Sequence, residues 1–472
     1  MDWDDIVYLS LLFFSIGFGP IFRQIGNKCM KRNVATFVGI VITLIASRTH
    51  FWHPLLLTLA NIFIIKCLNK RIIHTVSFAF SFVYLIFFRN TVLFGIPYPP
   101  PHLNLIQMIM TLKLVGLAFE FHDTTKAIEA GKNDPEFETS KIPEPSQGDI
   151  FHYSFCYIGI LTGPYYSYRM YLDMFNTPFV KYVNCWDHTL ERVKMLPLYG
   201  VLFLIFTSYF SFDYALTDEF YMERSVWYRI WYVLPVFVQF RTRMYIGMRL
   251  SEAVLIMSGL GAYPAVTVPL PGKGPSREHV QIGIISKDEE KAKNTEYSFG
   301  AIHNIEPYGA EFDYTVRQAM RHWNMTVQYW LAAYVYKRFP YKAYRVGVTF
   351  MISAIWHGMY AGYYCCLCSV PFYLPIEDIY YKNLKDIKVS PVVSWIWFMV
   401  AYWWRMLLMG YWGIAFRLLT LSACFKYWSS VYFIPTFITL LMYAVSFIIF
   451  PNRKRIKSKE NNTDDQISSK TD

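Results

Sequence analysis

Apolar residues in this chain do not recur at simple helical or strand spacing. They gather into long runs, near 6–22, 35–46, 54–68, 76–96, 105–119, 155–163, 196–212, 227–240, 253–263, 344–373, 392–412, 414–424 and 431–450. A helix that crosses a bilayer needs about 20 predominantly apolar residues, so some runs are full spans and others are tilted, re-entrant or buried helices. The pattern predicts an all-α polytopic membrane protein with about eleven transmembrane helices plus short re-entrant or interfacial helices. Two polar stretches, 122–149 and 264–313, carry Pro, Gly and charge without periodicity and read as loops outside the bilayer. Residues 1–450 read as a single membrane-embedded domain, and the basic, polar tail 451–472 as disordered.

Composition supports the same class. Of 472 residues, 54% are hydrophobic, 19% aromatic and only 17% charged, against about a quarter charged in a soluble domain. The net charge of +11 lies largely in clusters that flank apolar runs, such as Arg23, Lys28, Lys31 and Arg32, which is the positive-inside pattern. An acidic start (Asp2, Asp4, Asp5) before that cluster places the N-terminus outside the cytosol and reads as a retained anchor, not a cleaved leader. The Arg453–Lys459 cluster places the C-terminus inside, which makes the span number odd. No nucleic-acid-binding motif is present. Cys365 and Cys368 form a lone C-x-x-C without further ligands, so neither a metal nor another cofactor is expected.

Ionisable residues in apolar segments are costly, so each one is a candidate for function or for a buried pair. Lys113 with Glu120, and Arg169 with Asp173, are spaced to neutralise each other. His357 lies deep in the run 344–373, in Ile355-Trp-His-Gly358. Imidazole is a suitable general base near neutral pH, although a lone buried histidine is also compatible with a satisfied core residue. Upstream, Trp323, Val327, Trp330 and Tyr334 mark an apolar helical face, and Arg317, Arg321, Asn324 and Gln328 a polar one. That polar face suits either a water-filled cavity or plain solvent. No G-x-S-x-G elbow occurs, nor does any histidine precede an aspartate by five positions. What remains is direct acyl transfer to a hydroxyl, with His357 as general base and Asn324 orienting the acceptor or stabilising the oxyanion.

At these residues the sequence resembles the membrane-bound O-acyltransferase family, whose paired signature matches Asn324 in Trp-Asn-Met-Thr-Val and His357 in Trp-His-Gly. Thr111-Leu-Lys-Leu-Val-Gly-Leu-Ala-Phe-Glu120, Phe155-Cys-Tyr-Ile-Gly-Ile-Leu-Thr-Gly-Pro164, Tyr168-Arg-Met-Tyr-Leu-Asp173 and His322–Trp330 are similar to its lysophosphatidylinositol acyltransferase branch. Ala361 and Met248 depart from residues common beside the signature. The resemblance implies a helical fold around a central tunnel, in endoplasmic reticulum membrane, with His357 and Asn324 meeting midway. It implies acyl-CoA as donor of a polyunsaturated, arachidonoyl-type chain, lysophosphatidylinositol as acceptor at the sn-2 hydroxyl, and membrane lipids as surroundings. Arg317, Arg321, Trp323, Gln328 and Ser353 are candidate substrate-contacting residues, the two arginines for a phosphate. The same residues leave open an acyltransferase for another lysophospholipid, and the intramembrane charges leave open a transporter.

Overall fold

A computed structural model describes residues 3–134, 137–138 and 141–450, so the tail and its basic cluster lie outside the described residues. The chain is predominantly helical. Among the described residues, four helices are long and apolar enough to cross a membrane: Trp3–Gln24, the stretch Lys28–His50, Pro101–Glu129 and Pro391–Leu418. Leu421–Ser430 and Ile434–Ile449 pass the same test as one span bent by 74°, while Trp52–Cys67 and Ile73–Arg89 are shorter apolar helices.

Among the described residues two compact units are present: those within 3–211, 238–311 and 319–359 form the first, and those within 212–237, 312–318 and 360–450 the second. In the first, Pro101–Glu129 is the central pillar. Its apolar window is 83% buried, against 28% for Trp3–Gln24, so it is enclosed by protein where the outer helix is largely uncovered. Ile73–Arg89 packs along it most extensively, joined by Lys28–Ser47, Trp52–Cys67, Gln147–Ser154 and Tyr168–Asn176. The second unit packs Pro391–Leu418 on Ala361–Leu367 and Leu421–Ser430, and Val370–Leu384 on Ile434–Ile449.

The structure departs from the run pattern where polar groups find partners. Runs 227–240 and 253–263 are not separate: one helix, Val226–Met257, covers the first and enters the second. The charges between them are held in place, Arg241 by Glu311 at 2.7 Å and Arg249 by Glu252 at 2.9 Å. The run 344–373 divides into Arg345–His357, Ala361–Leu367 and the start of Val370–Leu384. Gly358 makes the first break at φ 156°, ψ −176°, a backbone conformation that only glycine holds easily. Residues 155–163 are not helical at all, yet Phe155, Tyr157 and Ile160 are buried. Irregular backbone at this depth is stable when protein encloses it.

The polar stretches also differ from plain loops. Helix Pro101–Glu129 continues into 122–149. The stretch 264–313 carries short helices and a two-stranded antiparallel ribbon pairing Tyr263 with Ser298, and it buries Phe299, Ile302 and Ile305. Its apolar residues are interrupted by Pro and Gly, so they leave no periodic signal.

Candidate active site

Three segments dock on successive turns of Pro101–Glu129, at Met108, Leu112 and Gly116. The indole of Trp356 donates to the Met108 carbonyl at 3.1 Å, and that of Trp330 to the Leu112 carbonyl at 3.0 Å. At Gly116 a Cβ would lie 2.4 Å from the Tyr165 hydroxyl, so only glycine seats that ring. Positions four apart lie on one helical face, about 6 Å along the axis per step. The pillar thereby gathers the His357 helix, the Asn324 segment and the Phe155–Tyr165 segment along one stripe.

His357 is the last residue of Arg345–His357, half-buried, with its ring 4.9 Å from the Trp356 ring and nearly edge-on. A helix end leaves carbonyls without internal donors. Arg89 fills that need, donating to the carbonyls of Ile355 at 3.0 Å and Trp356 at 2.7 Å while its Nε donates to Asn104 Oδ1 at 2.9 Å. Ser353 sits one turn before His357 on the same helix face.

Asn324 is held differently. A single helix through 317–334 is not formed: Val316–Arg321 ends, Asn324 takes the left-handed conformation (φ 50°, ψ 49°), and Met325–Leu331 begins. Asparagine tolerates this conformation better than most residues. A helix-starting Asn ordinarily spends its side chain on the first free amides. Here Asn304 does that work, its carbonyl accepting from Met325 N at 2.7 Å and its Oδ1 from Thr326 N at 3.2 Å and Thr326 Oγ1 at 2.7 Å. Thr326 Oγ1 in turn accepts from Tyr165 N at 3.0 Å. Among the described residues the Asn324 carboxamide caps nothing and is left available, half-buried beside Trp323.

Buried Glu252 fixes Asn304, its Oε1 accepting from Asn304 N at 2.6 Å and Ile305 N at 3.0 Å. Glu306 donates its amide to the His322 carbonyl at 2.9 Å, tying the same loop to the Asn324 segment. Its carboxyl is drawn down to about 2 by its hydrogen bond to His303, with Arg249 adding to the effect.

Of the other candidates, Trp323 packs between Phe240 and Tyr245, its ring centroid 6.3 and 5.7 Å from theirs. Gln328 turns back to donate to the carbonyls of Met320 and Trp323, closing the end of the preceding helix. Arg321 is exposed. Arg317 falls in the second unit, where its guanidinium grips Asp378 through two bonds of 2.8 and 2.6 Å.

The buried pairs divide. Arg169 meets Asp173 at 2.9 Å, as the spacing predicts. Lys113 and Glu120 do not pair. Lys113 donates to the Tyr166 hydroxyl at 3.0 Å and lies over the Tyr153 ring at 4.5 Å, a cation–π contact. Glu120 instead accepts from the amides of Tyr168 and Arg169, both at 3.0 Å, at the start of Tyr168–Asn176. A carboxylate at a helix start satisfies free amides and the dipole together. Asn304 and Arg89 carry no signal in the sequence, whereas Glu252 stands out as an ionisable residue in an apolar stretch and Gly116 lies inside a motif read from the sequence.

The family model for the membrane-bound O-acyltransferase family matches residues 56–418. The membrane-bound acylglycerophosphatidylinositol O-acyltransferase of Drosophila melanogaster is 37% identical, covering 96% of this chain and 94% of its own length. The proteins of the same description from Danio rerio and Homo sapiens are 35% and 34% identical, covering 100% and 97% of this chain and 100% and 98% of their own. These matches span the pillar, the Asn324 segment and the His357 helix, and they set the transporter reading aside. The chain belongs to the membrane-bound O-acyltransferase family and is a multi-pass membrane acyltransferase.

Proposed function

We propose that this enzyme moves an arachidonoyl-type chain from acyl-CoA to the sn-2 hydroxyl of lysophosphatidylinositol, in the endoplasmic reticulum membrane. The relatives named for acylglycerophosphatidylinositol support the acceptor. The observation that carries the chemistry is the shared stripe of Pro101–Glu129, on which the Asn324 and His357 segments dock one turn apart. This reading has about eleven spans, with the four long helices, the bent pair and the shorter apolar helices Trp52–Cys67 and Ile73–Arg89 among them.

In the reaction, His357 takes the proton of the acceptor hydroxyl as its oxygen attacks the thioester carbonyl carbon. A carbon–oxygen bond forms, and the carbonyl oxygen carries the charge of the tetrahedral intermediate. The Asn324 carboxamide donates to that oxygen or holds the hydroxyl in line. The carbon–sulfur bond then breaks, and the proton on His357 passes to the departing thiolate, giving ester and free coenzyme A. Such a base contributes about 10²–10⁴-fold, and one oxyanion donor about 10²–10³-fold. Trp323 and Ser353 line the approach, Gln328 braces the turn, and exposed Arg321 contacts a substrate phosphate, with Arg317 braced by Asp378.

The test is coenzyme A release by purified protein given arachidonoyl-CoA and a panel of lysophospholipids. Lysophosphatidylinositol is expected to support the highest kcat/KM. Equal or faster turnover of lysophosphatidylcholine or lysophosphatidylserine would reject the acceptor assignment.

A further inference from the structure

The second unit holds a recess of about 370 Å³ lined by Tyr221, Arg229, Lys426, Ser429, Ser430 and Tyr432. Its chemistry is cationic and its floor is built. Arg229 is only 9% exposed. One guanidinium nitrogen donates to the Tyr221 carbonyl, while its Nε has no acceptor. Among the described residues, no carboxylate pairs with it. The Arg229 backbone carbonyl accepts from the buried Tyr427 hydroxyl at 3.0 Å, which fixes the position of this arginine. A buried guanidinium short of an acceptor costs free energy that an anion relieves.

The second cation, Lys426, lies over the Tyr221 ring at 4.5 Å and meets Asp218 at 3.1 Å. Asp218 is 87% exposed, so water screens that pair and an incoming anion displaces it at little cost. The hydroxyls of Ser429 and Ser430 donate to the carbonyls of Lys426 and Tyr427, which leaves the two cations and the phenols of Tyr221 and Tyr432 as donors. Beyond the recess the same unit exposes Met222, Trp227, Leu421, Phe425 and Phe437. Exposed apolar side chains on the unit that carries a cationic hollow suit a ligand with a phosphate head and acyl tails.

The geometry points to a phosphate-binding site at Arg229 and Lys426 that takes the headgroup of a membrane phospholipid, apart from the acyl-transfer residues Asn324 and His357. Phosphate is the shared chemistry, and a soluble organic phosphate is the competing source. Full-length protein in detergent is titrated with dihexanoyl phosphatidic acid, with glycerol 3-phosphate and with dihexanoylglycerol, reading the melting temperature. Binding to the folded state raises it in proportion to affinity and concentration.

Dihexanoyl phosphatidic acid is expected to raise the melting temperature, dihexanoylglycerol to leave it unchanged, and glycerol 3-phosphate to act only at much higher concentration. Lys426→Glu is expected to abolish the response while keeping wild-type acyl transfer. The neutral Lys426→Met keeps the stem packing on Tyr221 and is expected to weaken apparent affinity by about tenfold. An undiminished response in both variants overturns the site. An equal response to dihexanoylglycerol overturns the phosphate. Equal potency of glycerol 3-phosphate overturns the lipid as its source.

Discussion

His357 and Asn324 are positioned by opposite means. His357 ends a regular, apolar helix held by one indole and one guanidinium, at Met108 and Arg89 respectively. Asn324 sits in a break between short helices, in a left-handed conformation, within a polar network that runs through Asn304, Thr326 and Glu252. The helix places an imidazole by packing. The break frees a carboxamide by giving its capping duty to another residue. In the proposed reaction the base needs a fixed ring, whereas the hydrogen-bond donor needs to be without a partner of its own before substrate arrives.

The largest effects fall on the two side chains themselves. His357→Ala is expected to lower kcat by about 10²–10⁴-fold and Asn324→Ala by about 10²–10³-fold, with thermal melting close to wild type. Full activity in either variant ends its assigned role. Next are the supports, where the two regions should part company. Asn304→Ala leaves the buried Thr326 amide and hydroxyl without their acceptor, at about 1–3 kcal/mol for each group. It is therefore expected to lower both kcat and the melting temperature. Arg89→Lys keeps a cation but loses the fork that spans two carbonyls. Its expected signature is a kcat reduced several-fold at unchanged KM, and an unchanged kcat would show that Arg89 does not position His357.

Smaller effects lie at the margins of the Asn324 network. The Glu306 carboxyl is held low, so the stability it contributes is present above the ordinary carboxylate range and is lost as pH falls toward 2. Glu306→Gln is expected to flatten the decline in melting temperature between about pH 5 and 2; an unaltered slope would show that His303 and Arg249 do not stabilise the loop through it. Smallest of all, Arg317→Ala breaks a part-exposed pair with Asp378, worth about 0–1 kcal/mol, and a changed KM there would give Arg317 a direct part in substrate binding.

The same contrast explains what was legible beforehand. Long apolar runs mark helices because burial in lipid demands them, so Trp3–Gln24, Pro101–Glu129 and Pro391–Leu418 follow from the pattern. His357 stands out as a polar residue in such a run. Asn324 was visible as a residue type in a motif, but its geometry was not. Periodicity carried a helix straight through it, and only a backbone break, sealed by Gln328 on one side and Asn304 on the other, shows why its side chain is available. Arg241 and Arg249 interrupt hydropathy without interrupting the helix, because their partners arrive from distant sequence or the next turn. Glu120 looked like half of an ion pair and is a helix-start acceptor, a role that depends on amides about fifty residues downstream in the chain. Pairings of this kind are set by tertiary contact, which spacing does not encode.

In the proposed reaction His357 and Asn324 act on one transition state. Single-turnover acyl transfer from arachidonoyl-CoA to lysophosphatidylinositol, compared among wild type, His357→Ala, Asn324→Ala and the double variant, tests it most directly. Residues that work as a unit are strongly non-additive, so the double variant is expected to be no slower than the slower single variant. Losses that multiply would instead show two independent contributions and contradict a joint site.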